Sequence, residues 1–86
     1  MDVHQLIDVA KKSAGSYGAV AEKLHKHQSR ISEWKKGIGR PDASDIAAMA
    51  LIAELPVLET VAAVEKTLRP DLAEVWTVAL SRRGKR

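Results

Sequence analysis

Residues 16–37 read SYGAVAEKLHKHQSRISEWKKG. Two short runs with helical spacing sit on either side of the basic elbow His25-Lys26-His27. Ser16 stands where a capping side chain opens a helix over residues 17–24, with Val20, Ala21 and Leu24 on its inner face. A second helix is predicted over residues 28–36, with Ile31 and Trp34 three apart on one face, and Gly37 just past its end in the position that favours a left-handed residue. Helices of this length do not stand alone in water, so each must pack. A connection this short forces the pair to cross steeply, as in a helix-turn-helix. The crossing needs a small residue, and Ala21 supplies it; Val20, Leu24, Ile31 and Trp34 then form an apolar wedge around it.

With those residues turned inward, periodicity sends Gln28, Ser29, Ser32 and Glu33 outward, with Lys35 and Lys36 flanking the helix end. The same stretch crowds Lys23, His25, Lys26, His27, Arg30, Lys35 and Lys36 together. Like charges repel, so the compact state gains nothing from that crowding. The whole chain carries +3, but residues 11–40 carry eight Lys or Arg against Glu22 and Glu33, while residues 41–68 carry five acids against Lys66. A basic run is often only a solvated helical face. Here it surrounds an apolar wedge, which favours a surface facing a polyanion. An exposed helix that opens Gln-Ser suits the DNA major groove: a glutamine amide matches adenine N6 and N7, and a serine hydroxyl can donate or accept. Surrounding lysines and arginines would meet phosphates.

The remaining sequence reads as further helices. Val3, Leu6, Ile7 and Ala10 mark residues 3–12, with Asp2 as the cap. Asp42, three residues before Asp45, resembles a capping box and opens a helix over residues 43–54 that is apolar on most sides and therefore central. Pro56 and Pro70 fit the first turns of a fifth helix, to about residue 68, and a sixth carrying Leu72, Val75, Trp76, Ala79 and Leu80. No stretch alternates with period two, so the fold is predicted to be all-α, a compact bundle of five to six short helices containing a helix-turn-helix. Eighty-six residues make one domain of marginal stability: residues 1–55 as the helix-turn-helix core, residues 56–81 as helices completing it, and residues 82–86 as a basic tail.

No cysteine is present, which removes disulfides and thiolate metal sites and fits a reducing compartment. No segment approaches the roughly 18 apolar residues of a membrane span, and the first residues lack a basic leader. A cytoplasmic protein is expected. The pair His25 and His27 reads as turn or phosphate-facing histidines, since His4 makes a poor third ligand. No cofactor, small-molecule ligand or catalytic constellation is expected, and hence no enzyme.

Residues 16–55 resemble the helix-turn-helix of lambda-repressor-like proteins, the Cro/CI class of phage and bacterial regulators. The resemblance rests on AEKL at 21–24, QSRISEW at 28–34, and the tract W-x-x-G-x-x-x-P, here WKKGIGRP at 34–41. It covers about 40 of the 86 residues. It departs from the family at the elbow, where His25 stands in place of a left-handed glycine and Lys26 in place of an apolar residue. Histidine tolerates positive φ better than most side chains, and a lysine stem can cover an apolar spot while its amine stays wet. The resemblance implies a helical domain that binds double-stranded operator DNA as a homodimer. It places base contacts on Gln28, Ser29, Ser32 and Glu33, and phosphate contacts on Tyr17, Lys36 and Arg40, then Lys35 and Lys12. With the chain ending soon after the helices, small phage or prophage repressors are the nearest expectation.

Several readings stay open on sequence alone. Glu33 either accepts from cytosine N4 or pairs with a neighbouring lysine. The first four helices are expected to close a core, leaving Val57, Leu58, Val61, Leu72, Trp76 and Leu80 for a dimer seam, although Trp76 and Leu80 would also suit a monomer core. The tail Arg82, Arg83, Lys85 and Arg86 either touches the DNA backbone or only aids solubility. An antitoxin-like or protein-interaction module with secondary DNA binding, and an excisionase-like or nucleoid-type DNA binder, are the alternatives.

Overall fold

The computed structural model describes residues 1–82; the tail residues Arg83, Lys85 and Arg86 lie outside them. Six α-helices follow one another: α1 (Val3–Ala14), α2 (Tyr17–Leu24), α3 (Gln28–Lys35), α4 (Ala43–Ile52), α5 (Val57–Leu68) and α6 (Ala73–Arg82), with a 3₁₀ turn at Pro70–Leu72 leading into α6. No strand occurs among the described residues. Arg82, read from sequence as part of the tail, ends α6 instead.

Local chemistry explains where the helices begin. Asp2 accepts from the Gln5 amide while the Gln5 side chain accepts from the Asp2 amide, a reciprocal box that satisfies two of the free donors at the start of α1. Ser16 accepts from the Ala19 amide at the start of α2. Asp42 and Asp45 repeat the reciprocal box at α4.

The ends are as explicit. His25 adopts φ 57°, ψ 41°, the left-handed turn expected of the elbow, and lets the amides of His25 and Lys26 reach the Glu22 and Ala21 carbonyls. Gly37, at φ 84°, closes α3 in the same pattern, with the Ile38 amide donating to the Glu33 carbonyl. Glu54, also at φ 57°, ends α4 likewise. Nothing in its residue type announced that conformation.

One core joins five of the helices. Leu6, Ile7 and Ala10 of α1, Val20 and Ala21 of α2, Ile31 and Trp34 of α3, Ile46 and Met49 of α4, and Val61 and Val64 of α5 pack together, all but closed to solvent. Helix α4 is central, touching α1, α2 and α5. Its apolar sequence overstates its burial, because Leu51 remains 66% exposed. Truncating a buried tryptophan to alanine costs roughly 3–5 kcal/mol. That is a large share of the total stability of a chain this size, about 0.05–0.15 kcal/mol per residue.

Two expectations are corrected here. The first four helices do not close the core by themselves, since α5 buries Thr60, Val61, Ala62, Val64 and Glu65. Val61, only 6% exposed, is therefore a core residue and not part of a dimer seam. Positions 57, 61, 64 and 68 form the inward stripe of α5, and each packs in or against the core. Helix α6 differs from the others. It buries no residue fully and packs only on α5 and the 3₁₀ turn among the described residues.

Candidate nucleic-acid interface

The elbow and α3 are held from three directions. Ile31 and Trp34 sink into the core beside Val20 and Ala21, which fixes the rotation of α3 about its axis. The ammonium of Lys35 donates to both carboxylate oxygens of Asp8 at 2.7 Å, tying the end of α3 to α1. Lys26, half-buried in the elbow, places its ammonium 3.5 Å from Asp45 Oδ1 at the start of α4. Beyond α3, the carbonyl of Pro41 accepts from Arg69 Nη2 at 3.1 Å, and the same guanidinium meets buried Glu65 at 2.7 Å. The loop that follows α3 is thus pinned to the end of α5.

On the outer side of α3, Gln28, Ser29 and Glu33 are exposed and Ser32 is half-buried. Glu33 lies 3.8 Å from Arg30, both side chains about half exposed, so its partner in this structure is an arginine and not the lysine considered from sequence. Such an exposed pair is worth little. The Gln28 amide oxygen lies against the second residue of α2: a Cβ on Gly18 would come within 3.1 Å of it. Gly18 therefore gives the Gln28 side chain room to lie across the start of α2.

His27 caps α3. Its Nδ1 accepts from the Ser29 amide at 3.2 Å and lies 3.0 Å from Ser29 Oγ. His27 therefore does more than stand in the turn, where its position in the sequence puts it.

The cationic residues divide into two groups. Lys36, Arg40 and Lys12 are exposed. Lys35, expected as a phosphate contact, is paired with Asp8 in this structure, so its charge is already met by a carboxylate. Tyr17 is half-buried against the core, and the Lys11 ammonium lies 4.6 Å from the centre of its ring, a cation–π contact. Lys11 was not among the sequence-based candidates, although it lies one residue from Lys12.

The carboxyl of Asp42, at the cap of α4, is held below the ordinary aspartate range, chiefly by the hydrogen bond from the Asp45 amide. The Gln5 amide does the same for Asp2. Both perturbed acids are helix caps. The described residues hold no group of three or more His, Asp or Glu placed to bind a metal, and no helix among them is long and apolar enough to cross a membrane.

The second face of interest is apolar. Leu72 (50%), Val75 (59%) and Val78 (37%) are exposed on and before α6, and Leu58 (37%) on α5. Val57 and Trp76 are partly buried against the core, and Leu80 is half-buried. Of the sequence-based seam residues, Leu58 and Leu72 therefore remain open to a partner, Val61 does not, and Val75 and Val78 join the open set.

Comparison with protein-family models, with curated proteins and with solved structures finds no match for this chain.

Proposed function

We propose that this protein is a sequence-specific DNA-binding transcriptional regulator of the phage or prophage repressor type. It acts in the cytoplasm, with α3 as the helix that enters the major groove. The observation that carries the reading is the two-sidedness of α3: Ile31 and Trp34 are closed to solvent, while Gln28, Ser29 and Glu33 face it. Burial of the first pair keeps the second set on the solvent side, where the Gln28 amide, the Ser29 oxygen and the Glu33 carboxylate could meet base edges. Lys36, Arg40 and Lys12, all exposed, supply charge for phosphates, and Tyr17 completes that group.

The regulator is proposed to act as a homodimer on a palindromic operator, with half-sites about 34 Å apart. The exposed stripe Leu72, Val75 and Val78, with Leu58, is the proposed seam.

Selection of bound DNA from a random pool tests the reading. A palindrome with half-sites about one helical turn apart is expected. Against that operator, Gln28→Ala should lose roughly 1–3 kcal/mol and relax one base position. An equal loss on operator and random DNA would refute direct reading by Gln28.

The open stripe on α6 also favours a second reading, a protein-interaction or antitoxin-like module in which DNA binding is secondary. Light scattering separates the two. A monomer that dimerises neither alone nor on DNA would favour the second.

A further inference from the structure

The cap on α3 does more than start the helix. A backbone N–H can only donate, and the Ser29 amide points at His27 Nδ1 from 3.2 Å. In the neutral ring, Nδ1 must then be the bare nitrogen and Nε2 must carry the proton. Ser29 Oγ lies 3.0 Å from the same Nδ1. Two groups meeting there with an unprotonated nitrogen leave one assignment: the hydroxyl also donates to it. Ser29 thereby spends its only side-chain proton on the cap, and its oxygen retains lone pairs alone for any outside partner.

A serine on an exposed helix ordinarily serves as donor or acceptor, so it discriminates poorly among bases. Held as an acceptor, it discriminates. In the major groove, adenine presents an amine at N6 and cytosine at N4, whereas guanine O6 and N7 and thymine O4 only accept. An acceptor facing one of those oxygens or N7 leaves both without a proton between them.

We propose that His27 is a specificity-determining positioning residue: its bare Nδ1 fixes the Ser29 hydroxyl as an acceptor, so Ser29 selects a base with an exocyclic amine, adenine or cytosine. The inference rests on α3 as the DNA-reading helix and names what one of its residues reads.

Two measurements on the full chain test it. Long-range nitrogen–proton correlation spectra, recorded above the imidazole titration range, report which ring nitrogen of His27 bears the proton. The proton is expected on Nε2; a proton on Nδ1 overturns the proposal without reference to DNA.

The second compares operators. Ser29→Ala identifies the base pair that Ser29 reads, as the position whose selectivity relaxes. Wild type is expected to require adenine or cytosine there, with roughly tenfold weaker binding to guanine or thymine, the scale of one hydrogen bond lost. His27→Asn, whose amide oxygen is also a bare acceptor at a favoured cap, is expected to keep that preference and to hold the fold. His27→Ala removes the acceptor. It is expected to bring the four bases within about twofold at that position while leaving the rest of the operator unchanged. Guanine or thymine selected by wild type, or a preference unchanged in His27→Ala, overturns the proposal. A wild-type chain that enriches no sequence at all refutes the DNA reading itself, and the nitrogen spectrum separates that failure from failure of the cap assignment.

Discussion

Arg69 donates through Nη2 to the main-chain carbonyl of Pro41, 3.1 Å away and 28 residues earlier in the chain. The same guanidinium meets Glu65, whose side chain is only 7% exposed, at 2.7 Å. The end of α5 thus holds the loop that leaves α3. The loop between α3 and α4 is thus tied down by a residue far from it in sequence.

Arg69→Ala would leave the Glu65 carboxylate and the Pro41 carbonyl without this donor. Hydrogen bonds to charged groups contribute about 1.5–3 kcal/mol, and a loss of about 2 kcal/mol is expected in denaturant unfolding. Arg69→Lys should recover only part of it, because an ammonium does not reproduce the forked geometry that reaches both acceptors. A loss below about 0.5 kcal/mol, the level of an ordinary surface substitution, would refute the pin.

Lys35 and Lys36 are neighbours with opposite expectations. Lys36 is exposed, and Lys36→Ala should weaken binding to all DNA sequences and reduce the salt slope by about 1. Lys35 is held by Asp8, with side chains 32% and 57% exposed, so Lys35→Ala should change the slope less and cost only about 0.2–1 kcal/mol of stability. Asp8→Asn releases the Lys35 charge. It should tighten binding to random DNA and steepen the slope. Equal slopes for the two alanine variants would contradict the division.

Gly18 separates stability from recognition. It lies within α2 and its φ is not positive, so an alanine there relieves a helical glycine and gains up to about 1 kcal/mol. The added Cβ would stand 3.1 Å from Gln28 Oε1, at the far end of a flexible side chain that must shift. Gly18→Ala should raise the melting temperature and alter the base preference read by Gln28. A change in neither would remove Gly18 from the account.

The cap of α4 gives a pH dependence with a definite sign. The folded-state Asp42 carboxyl titrates below the ordinary aspartate value of 3.8, so its ionised form favours the fold. Its contribution is fully present above that value and disappears as pH falls through the lower folded-state value. Asp42→Asn keeps an acceptor at the cap and should flatten the acid limb of the stability curve with little change at neutral pH. Asp42→Ala should cost about 1 kcal/mol at neutral pH. An acid limb identical in wild type and Asp42→Asn would refute the assignment.

What the sequence determined by itself is local. The caps at Asp2, Ser16 and Asp42, and the left-handed residues His25 and Gly37, act within three to five residues; they open α1, α2 and α4 and close α2 and α3, whereas α6 begins at Ala73, after the 3₁₀ turn that holds Pro70. The inward pair Ile31 and Trp34 follows from periodicity alone, and with it the exposure of Gln28, Ser29 and Glu33, whereas Ser32, expected with them, is half-buried. Even so, the capping role of His27 was missed within that range, because histidine is not among the usual N-cap residues.

Tertiary structure decided the rest. Asp8 pairs with Lys35 across 27 residues, and Arg69 reaches Pro41 across 28. Val61 turns inward while Leu58, Val75 and Val78 stay open. Helical spacing gives a residue its face, but only the packing of helices against one another decides which face meets a core, a carboxylate or solvent.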